Sequence, residues 1–124
     1  MYEVAHIGVV VKDAQLSSKF YCDVLGCEVY EIIESTELKL IMLKSGSQII
    51  ELVQYFHDKE CERGAGIVDH IAFIVPNMDL AVKQLARHNV PLLQDKPKVL
   101  PDKKIMFFSG PDGERLEFIE ILSN

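Results

Sequence analysis

Residues 4–11 read Val-Ala-His-Ile-Gly-Val-Val-Val, and residues 68–75 read Val-Asp-His-Ile-Ala-Phe-Ile-Val. The two histidines in these apolar runs, His6 and His70, are 64 positions apart. A second pair of apolar runs carries one glutamate each, Glu51 and Glu117, and these are 66 positions apart. Each half of the chain therefore has a histidine on its first predicted strand and a glutamate on its last, which indicates an internal duplication.

The periodicity of the chain predicts the same order of elements, β-α-β-β-β, in both halves. The predicted strands cover 4–11, 28–33, 38–43 and 48–55 in the first half, and 68–75, 90–94, 105–109 and 114–122 in the second. A proline-bounded loop is expected over 96–103. The sequence thus predicts an α+β fold of two tandem βαβββ modules.

One helix is predicted in each half, with a polar residue at its N-cap. Asp13 and Asn77 are the predicted N-caps, and the helices end near Gly26 and Asn89. The residues expected to face the sheets are Leu16, Phe20 and Val24 in the first helix and Val82, Leu85 and Ala86 in the second.

The length of 124 residues predicts a single domain over 1–124, built from repeats at about 1–56 and 67–124. The segment between them, 57–66, is polar, ends in glycines and is expected to be a linker. No other repeat or low-complexity segment is present in the sequence.

Composition excludes several classes of function. An apolar content of 48% argues against disorder, and a net charge of −6 without a basic cluster argues against nucleic-acid binding. No apolar run is long enough to cross a membrane, and the first residues predict a strand rather than a leader. Three cysteines without a Cys-x-x-Cys motif, Cys22, Cys27 and Cys61, predict free thiols in a reducing cytoplasm.

The alternation of side chains places each polar residue among apolar ones on its own strand face. His6 shares a face with Gly8, and Glu117 shares a face with Ile119. Because the opposite faces are also apolar, we expect these strands to be covered on both sides. Helices would lie on the outer face, and the inner face would line a semi-enclosed cavity.

Two histidines and two glutamates placed by one repeat predict a metal site. An ionised carboxylate on a buried apolar face is costly unless it is paired or binds a metal. Imidazole and carboxylate ligands suit zinc, nickel, cobalt or ferrous iron, with positions left open for water or substrate. The predicted ligands are therefore His6, Glu51, His70 and Glu117.

The alternative for each residue alone is structural. A single histidine on a strand is more often a core residue, and a single glutamate more often faces solvent at a sheet edge; the repeat favours the metal site. Glu120 is predicted to lie at a solvent-accessible edge, and His57 and His88 at the surface. Asp69, next to His70, is expected to point to the opposite face and is excluded from the site.

The motifs of the whole chain resemble those of the vicinal-oxygen-chelate superfamily, the glyoxalase/bleomycin-resistance/dioxygenase group. The resemblance lies in His-Ile-Gly at 6–8, Phe-Tyr at 20–21, Leu-Gly at 25–26, Asp-His-Ile-Ala-Phe at 69–73 and Pro-Asp-Gly at 111–113, together with Glu51 and Glu117. It implies paired βαβββ modules that form an incomplete barrel around a metal. It also implies a homodimer, with the four ligands of a site drawn from one chain or from two.

The ligand order His, Glu, His, Glu is similar to that of bacterial glyoxalase I (lactoylglutathione lyase). This likeness implies isomerisation of a methylglyoxal–thiol hemithioacetal to a lactoyl thioester through an enediolate. Glu117 or Glu51 would remove the carbon-bound proton, and each site would hold one divalent metal. Bacterial members of this compact type suggest nickel or cobalt, with zinc possible.

Two alternatives stay open. Methylmalonyl-CoA epimerase resembles the chain almost as well and also removes a proton beside a thioester. A metal-free protein that binds a small molecule or drug is the alternative of another class. The thiol partner of the substrate is open too, because no clear match to glutathione-binding residues comes after Glu51.

Overall fold

The computed structural model describes residues 3–57 and 66–122 of the chain. The predicted linker, 57–66, lies almost entirely outside the described residues. The chain divides into two compact units, residues 1–62 and 63–124. The grouping of both units into one domain remains a prediction.

The described residues of each unit form one helix and four strands in the predicted order. The first has β1 (Ile7–Val10), α1 (Ala14–Asp23), β2 (Glu28–Glu34), β3 (Leu38–Ser45) and β4 (Gln48–Tyr55). The second has β5 (Ile71–Ile74), α2 (Met78–Arg87), β6 (Lys98–Val99), β7 (Lys103–Ser109) and β8 (Arg115–Ile121). The two-module βαβββ prediction is confirmed.

The two sheets have equivalent topologies, with strand orders β1-β4-β3-β2 and β5-β8-β7-β6. In each sheet the first strand pairs in parallel with the last, and the remaining pairs are antiparallel. The glutamate-bearing strands β4 and β8 are therefore internal strands. Glu120 lies on β8, so its predicted placement at a sheet edge is wrong.

Both helices begin with the predicted caps. The side chain of Asp13 accepts a hydrogen bond from the Leu16 N–H, and that of Asn77 accepts one from the Leu80 N–H, each at 3.1 Å. These bonds satisfy one of the amide groups that a first helical turn leaves unpaired.

Side chains on the strands also accept hydrogen bonds from the first backbone amides of the helices. Gln54 Oε1 on β4 accepts a hydrogen bond from the Ala14 N–H at 2.9 Å, and Glu120 Oε1 on β8 accepts one from the Met78 N–H. Gln54 and Glu120 each lie three residues after the site glutamate of their strand. Because side chains three apart point to opposite faces, each strand presents a candidate ligand on one face and a helix cap on the other.

The face of α1 that packs on the sheet differs from the prediction. Its buried residues are Ala14, Ser17, Ser18 and Tyr21, whereas Leu16 is 59% exposed. Phe20 and Val24 are half-buried. Apolar spacing was misleading here because two small serines, not leucine, allow the close approach of helix and sheet.

In α2 the buried residues are Met78 and Leu85, which correspond to Ala14 and Tyr21 at the 64-residue step. Leu85 confirms the prediction and Val82 is half-buried, but Ala86 is exposed. Each helix covers one face of its own sheet, since α1 contacts β2, β3 and β4, and α2 contacts β7 and β8. The buried sheet residues in these layers are Ile41, Leu43, Ile50, Leu52, Met106, Phe108, Leu116 and Phe118.

The prediction that the strands are covered on both faces is wrong at several positions. Ile74 on β5 is 77% exposed and Ile121 on β8 is 61% exposed. These residues lie on the side of the second sheet that α2 does not cover.

The segment after α2 also departs from the prediction. No strand forms over 90–94; Leu92 makes an isolated bridge to Phe108, and a two-residue strand, β6, lies inside the predicted loop. The Gln94 side chain accepts a hydrogen bond from the Phe107 N–H at 3.3 Å. This bond takes the amide that a continuing main-chain ladder would use.

Neither of the helices in the described parts of the chain has the length and apolar character needed to span a membrane.

We expect Leu85→Ala to lower the free energy of unfolding by about 2–5 kcal/mol, because it leaves a cavity between α2 and its sheet. Leu80→Ala on the same helix, where the side chain is 64% exposed, is the matched control. Its expected effect is within about 0.5 kcal/mol. Urea unfolding of the two variants measures the difference, and equal losses would contradict the assigned face.

We expect Glu120→Ala to lower the free energy of unfolding by about 1 kcal/mol, because it removes the acceptor of the Met78 N–H at the start of α2. Glu120→Gln keeps an acceptor oxygen, as Gln54 does at the equivalent place in the first unit, and should lose less. Gln54→Ala provides the parallel measurement on α1. An Ala variant at 120 as stable as the Gln variant would show that the cap is not needed.

Candidate functional site

The first unit brings His6 and Glu51 together. His6 directly precedes β1, and Gly8 on β1 lies opposite Glu51 on β4 in the parallel register. His6 Nε2 is 3.7 Å from Glu51 Oε2, with the side chains 43% and 17% exposed. A Cβ atom added at Gly8 would have Val53 Cγ2 as its nearest neighbour, at 4.0 Å, so position 8 is not tightly packed.

The second unit repeats this arrangement with a shorter contact. Ala72 on β5 lies opposite Glu117 on β8, in the place that Gly8 takes in the first unit. His70 Nε2 is 3.1 Å from Glu117 Oε1, with the side chains 33% and 8% exposed. The His70 ring also packs edge-on against Phe107, with ring centroids 5.2 Å apart.

Both pairs fit a divalent metal by their donor types and spacing. Two ligand atoms at about 2.1 Å from one ion lie roughly 3.0 Å apart at a right angle and roughly 3.4 Å apart at the tetrahedral angle. The observed separations of 3.1 and 3.7 Å lie close to these values. A bare imidazole nitrogen and a carboxylate oxygen at such distances repel unless a proton or a metal lies between them.

His70 is held from its other side by a residue that sequence reasoning excluded. Asp69 Oδ2 lies 2.7 Å from His70 Nδ1, and Arg115 Nη1 donates to both Asp69 oxygens at 3.1 and 3.2 Å. The expectation that Asp69 points away from His70 is therefore wrong. Both residues lie ahead of β5, where the strict alternation of a strand does not yet apply.

The hydrogen bond with His70 holds the pKa of the Asp69 carboxyl below its usual range, and Arg115 acts in the same direction. Asp69 is therefore an ionised acceptor, and a carboxylate can only accept a hydrogen bond. A hydrogen bond between Asp69 and His70 therefore requires a proton on Nδ1 of the imidazole. The signal that could have found this pair is the charge pattern of the second unit, because Asp69 and Arg115 each lie two residues or fewer from a candidate ligand.

The structure also bears on the predictions for the other histidines, the cysteines and the metal site. His57 and His88 are exposed, as expected. Cys22 and Cys27 are free thiols, as expected, and Cys61 lies outside the described residues. Within 3–57 and 66–122, no three His, Cys, Asp or Glu residues form a group that could hold a metal. The assignment of His6, Glu51, His70 and Glu117 to one site thus remains a prediction.

Other proteins are similar in sequence over most of this chain. It is 34% identical over 125 residues to the uncharacterised protein YaeR of Escherichia coli (strain K12), with 95% of each chain covered. It is 28% identical over 114 residues to the mitochondrial methylmalonyl-CoA epimerase of Mus musculus, covering 86% of this chain and 64% of that protein.

The fold also matches solved structures. The trypanothione-dependent glyoxalase I of Leishmania major superposes with a TM-score of 0.76 at 25% identity, covering 97% of this chain and 87% of that one. Residues 3–118 match the family model of the Glyoxalase/Bleomycin resistance protein/Dioxygenase superfamily. The duplicated βαβββ topology and the match over nearly the whole chain lead to one conclusion: this protein belongs to the glyoxalase/bleomycin resistance/dioxygenase superfamily.

Proposed function

We propose that this protein is a metal-dependent isomerase of the glyoxalase I type. It converts the hemithioacetal of methylglyoxal and a small thiol into a lactoyl thioester. The observation that carries the proposal is the imidazole–carboxylate pair in each module, with ligand atoms 3.7 and 3.1 Å apart. A protein that only binds a small molecule needs no such repeated pair.

The proposed ligands are His6, Glu51, His70 and Glu117. Together they supply two neutral nitrogens and two anionic oxygens, a donor set suited to one first-row divalent metal. When bound, such a metal supplies Lewis-acid polarisation of the substrate oxygens. We infer nickel or cobalt in preference to zinc, from the likeness to compact bacterial members.

Glu117 is the proposed base. Its side chain is only 8% exposed, so its carboxylate is poorly solvated and well suited to take a proton from carbon. The same carboxyl returns the proton to the neighbouring carbon, and the hydroxyl proton passes from the hemithioacetal oxygen to the former ketone oxygen. The product is therefore an isomer of the substrate. Glu51, at 17% exposed, acts mainly as a ligand.

We further infer that two chains associate and that each complete site takes one pair from each chain. His6 and His70 are 43% and 33% exposed in the single chain, which leaves both imidazoles accessible to a second copy. We also infer a cytoplasmic location, because Cys22 and Cys27 are free thiols and suit a reducing compartment.

A second candidate reaction is epimerisation at the carbon beside a coenzyme A thioester. The likeness to the mouse methylmalonyl-CoA epimerase favours it. Both reactions move a carbon-bound proton with a carboxylate, so the same residues would serve. Exchange of deuterium from solvent into methylmalonyl-CoA tests this candidate directly.

We expect the apo protein, reloaded separately with nickel, cobalt and zinc, to form thioester from methylglyoxal and glutathione. Turnover should be higher with nickel or cobalt than with zinc. The absorbance of the thioester measures it, and metal content is determined for each sample. Coenzyme A and other thiols are tested in parallel.

Glu117→Gln is the matched variant for this assay, since it keeps the shape of the side chain and an oxygen ligand. We expect it to retain part of its metal and to lose turnover by at least about a hundredfold, the scale of a general base. Near-normal turnover of metal-loaded Glu117→Gln would refute the assigned base. Metal bound without turnover on any thiol would favour the epimerase.

We expect two inactive variants to restore activity when they are mixed. One lacks the first pair (His6→Ala with Glu51→Ala), and the other lacks the second pair (His70→Ala with Glu117→Ala). If each site takes one pair from each chain, half of the re-formed dimers are mixed and each mixed dimer keeps one intact site. Recovery should therefore approach about a quarter of wild-type turnover. A dimeric mixture that stays inactive would show that the sites are not shared.

A further inference from the structure

Each imidazole–carboxylate pair, His6–Glu51 or His70–Glu117, is called a half-site. The two half-sites differ in the contacts that hold their histidines. In the second module, His70 lies between two carboxylates, Asp69 at Nδ1 and Glu117 at Nε2. Asp69 is in turn held by Arg115, whose Nη1 lies 3.1 and 3.2 Å from its two oxygens. Imidazole, carboxylate and guanidinium thus form a continuous chain of charge-assisted hydrogen bonds.

The first module has no residues equivalent to Asp69 and Arg115 at the matching positions of its sequence. The repeat places Ala5 where the second module has Asp69, and Ile49 where it has Arg115. Within the described residues, His6 makes its close polar contact with Glu51 and none at Nδ1. The two modules therefore share their candidate ligand types and differ in the residues that support the histidine.

This support matters because Glu117 favours a proton on His70 Nε2, the nitrogen to which a metal would bind. A neutral imidazole carries one proton, and a carboxylate 3.1 Å from Nε2 would draw that proton to Nε2. A proton there occupies the lone pair that a metal needs. Asp69 offers the proton a second acceptor at Nδ1, at the shorter distance of 2.7 Å.

We propose that Asp69 and Arg115 are positioning residues that keep the proton of His70 on Nδ1, so that Nε2 stays available to a metal and the second module becomes the tighter half-site. Metal-bound histidines commonly donate their other N–H in this way, and loss of the acceptor weakens metal binding. The proposal rests on the proposed function for the presence of the metal. The Nδ1 proton itself does not depend on a metal.

The first readout is the protonation of the His70 ring in the apo protein, by long-range ¹H–¹⁵N correlation. In the wild type we expect Nδ1 to carry a proton, whether the ring is neutral or charged. In Asp69→Ala we expect the neutral ring to carry its proton on Nε2. Asp69→Asn keeps an acceptor oxygen without the charge, is nearly isosteric, and should keep the Nδ1 proton.

The second readout is the dissociation constant for nickel ion alone, measured by competition with a chelator. We expect Asp69→Ala to bind nickel about 10–100-fold more weakly than the wild type. Arg115→Met and Asp69→Asn should fall between the two. Asp23→Asn is the matched control, because it removes one carboxylate from an exposed ion pair with Lys19 on α1. It should bind nickel as the wild type does.

The proposal is overturned if the neutral His70 ring of Asp69→Ala keeps its proton on Nδ1, or if the nickel affinity of this variant stays within about twofold of wild type while the Nδ1 proton is lost. A wild type that binds no nickel would defeat the proposed function instead. In that case the ring protonation of Asp69→Ala and Asp69→Asn decides the positioning role without any metal.

Discussion

The constraint on which this structure depends is a carboxylate on an internal strand of each sheet. The Glu117 side chain on β8 is 8% exposed, and a carboxylate that has lost its water must have a partner. Parallel pairing of the first and last strands supplies that partner, because it brings the residue ahead of β5 alongside β8. The βαβββ order is what makes this pairing possible, since a parallel connection needs a long crossover.

The same strands also position the helices, and this ties the sites to the packing. On β4 and β8 one face bears Glu51 or Glu117, and the other bears an acceptor for the first amide of α1 or α2. A one-residue slip of either strand would move the candidate ligand and the cap to the wrong faces together. Register is thus specified twice, once by helix capping and once by the imidazole–carboxylate contact.

Period and repetition in the sequence were enough to predict the βαβββ order and both N-caps. They also singled out His6, Glu51, His70 and Glu117, which the structure brings together as two pairs. Sequence reasoning failed where small or polar side chains decide the packing. Leu16 was expected inside and is exposed, because Ser17 and Ser18 allow α1 to approach the sheet closely. It also missed Asp69, since alternation applies only inside a strand and Asp69 lies before β5 begins.

The asymmetry between the modules bears on how a duplicated site can work. A metal must be retained through turnover, yet a ligand or base must also be able to move. If both modules held the ion equally, the same residues would have to retain the ion and release it. In this chain the second module has the shorter contact and the Asp69–Arg115 support, whereas His6 is 43% exposed and has Ala5 in the place of Asp69. If the proposed metal is present, the supported His70 would retain it, which leaves Glu117 able to take up a proton and His6 as the less firmly held ligand.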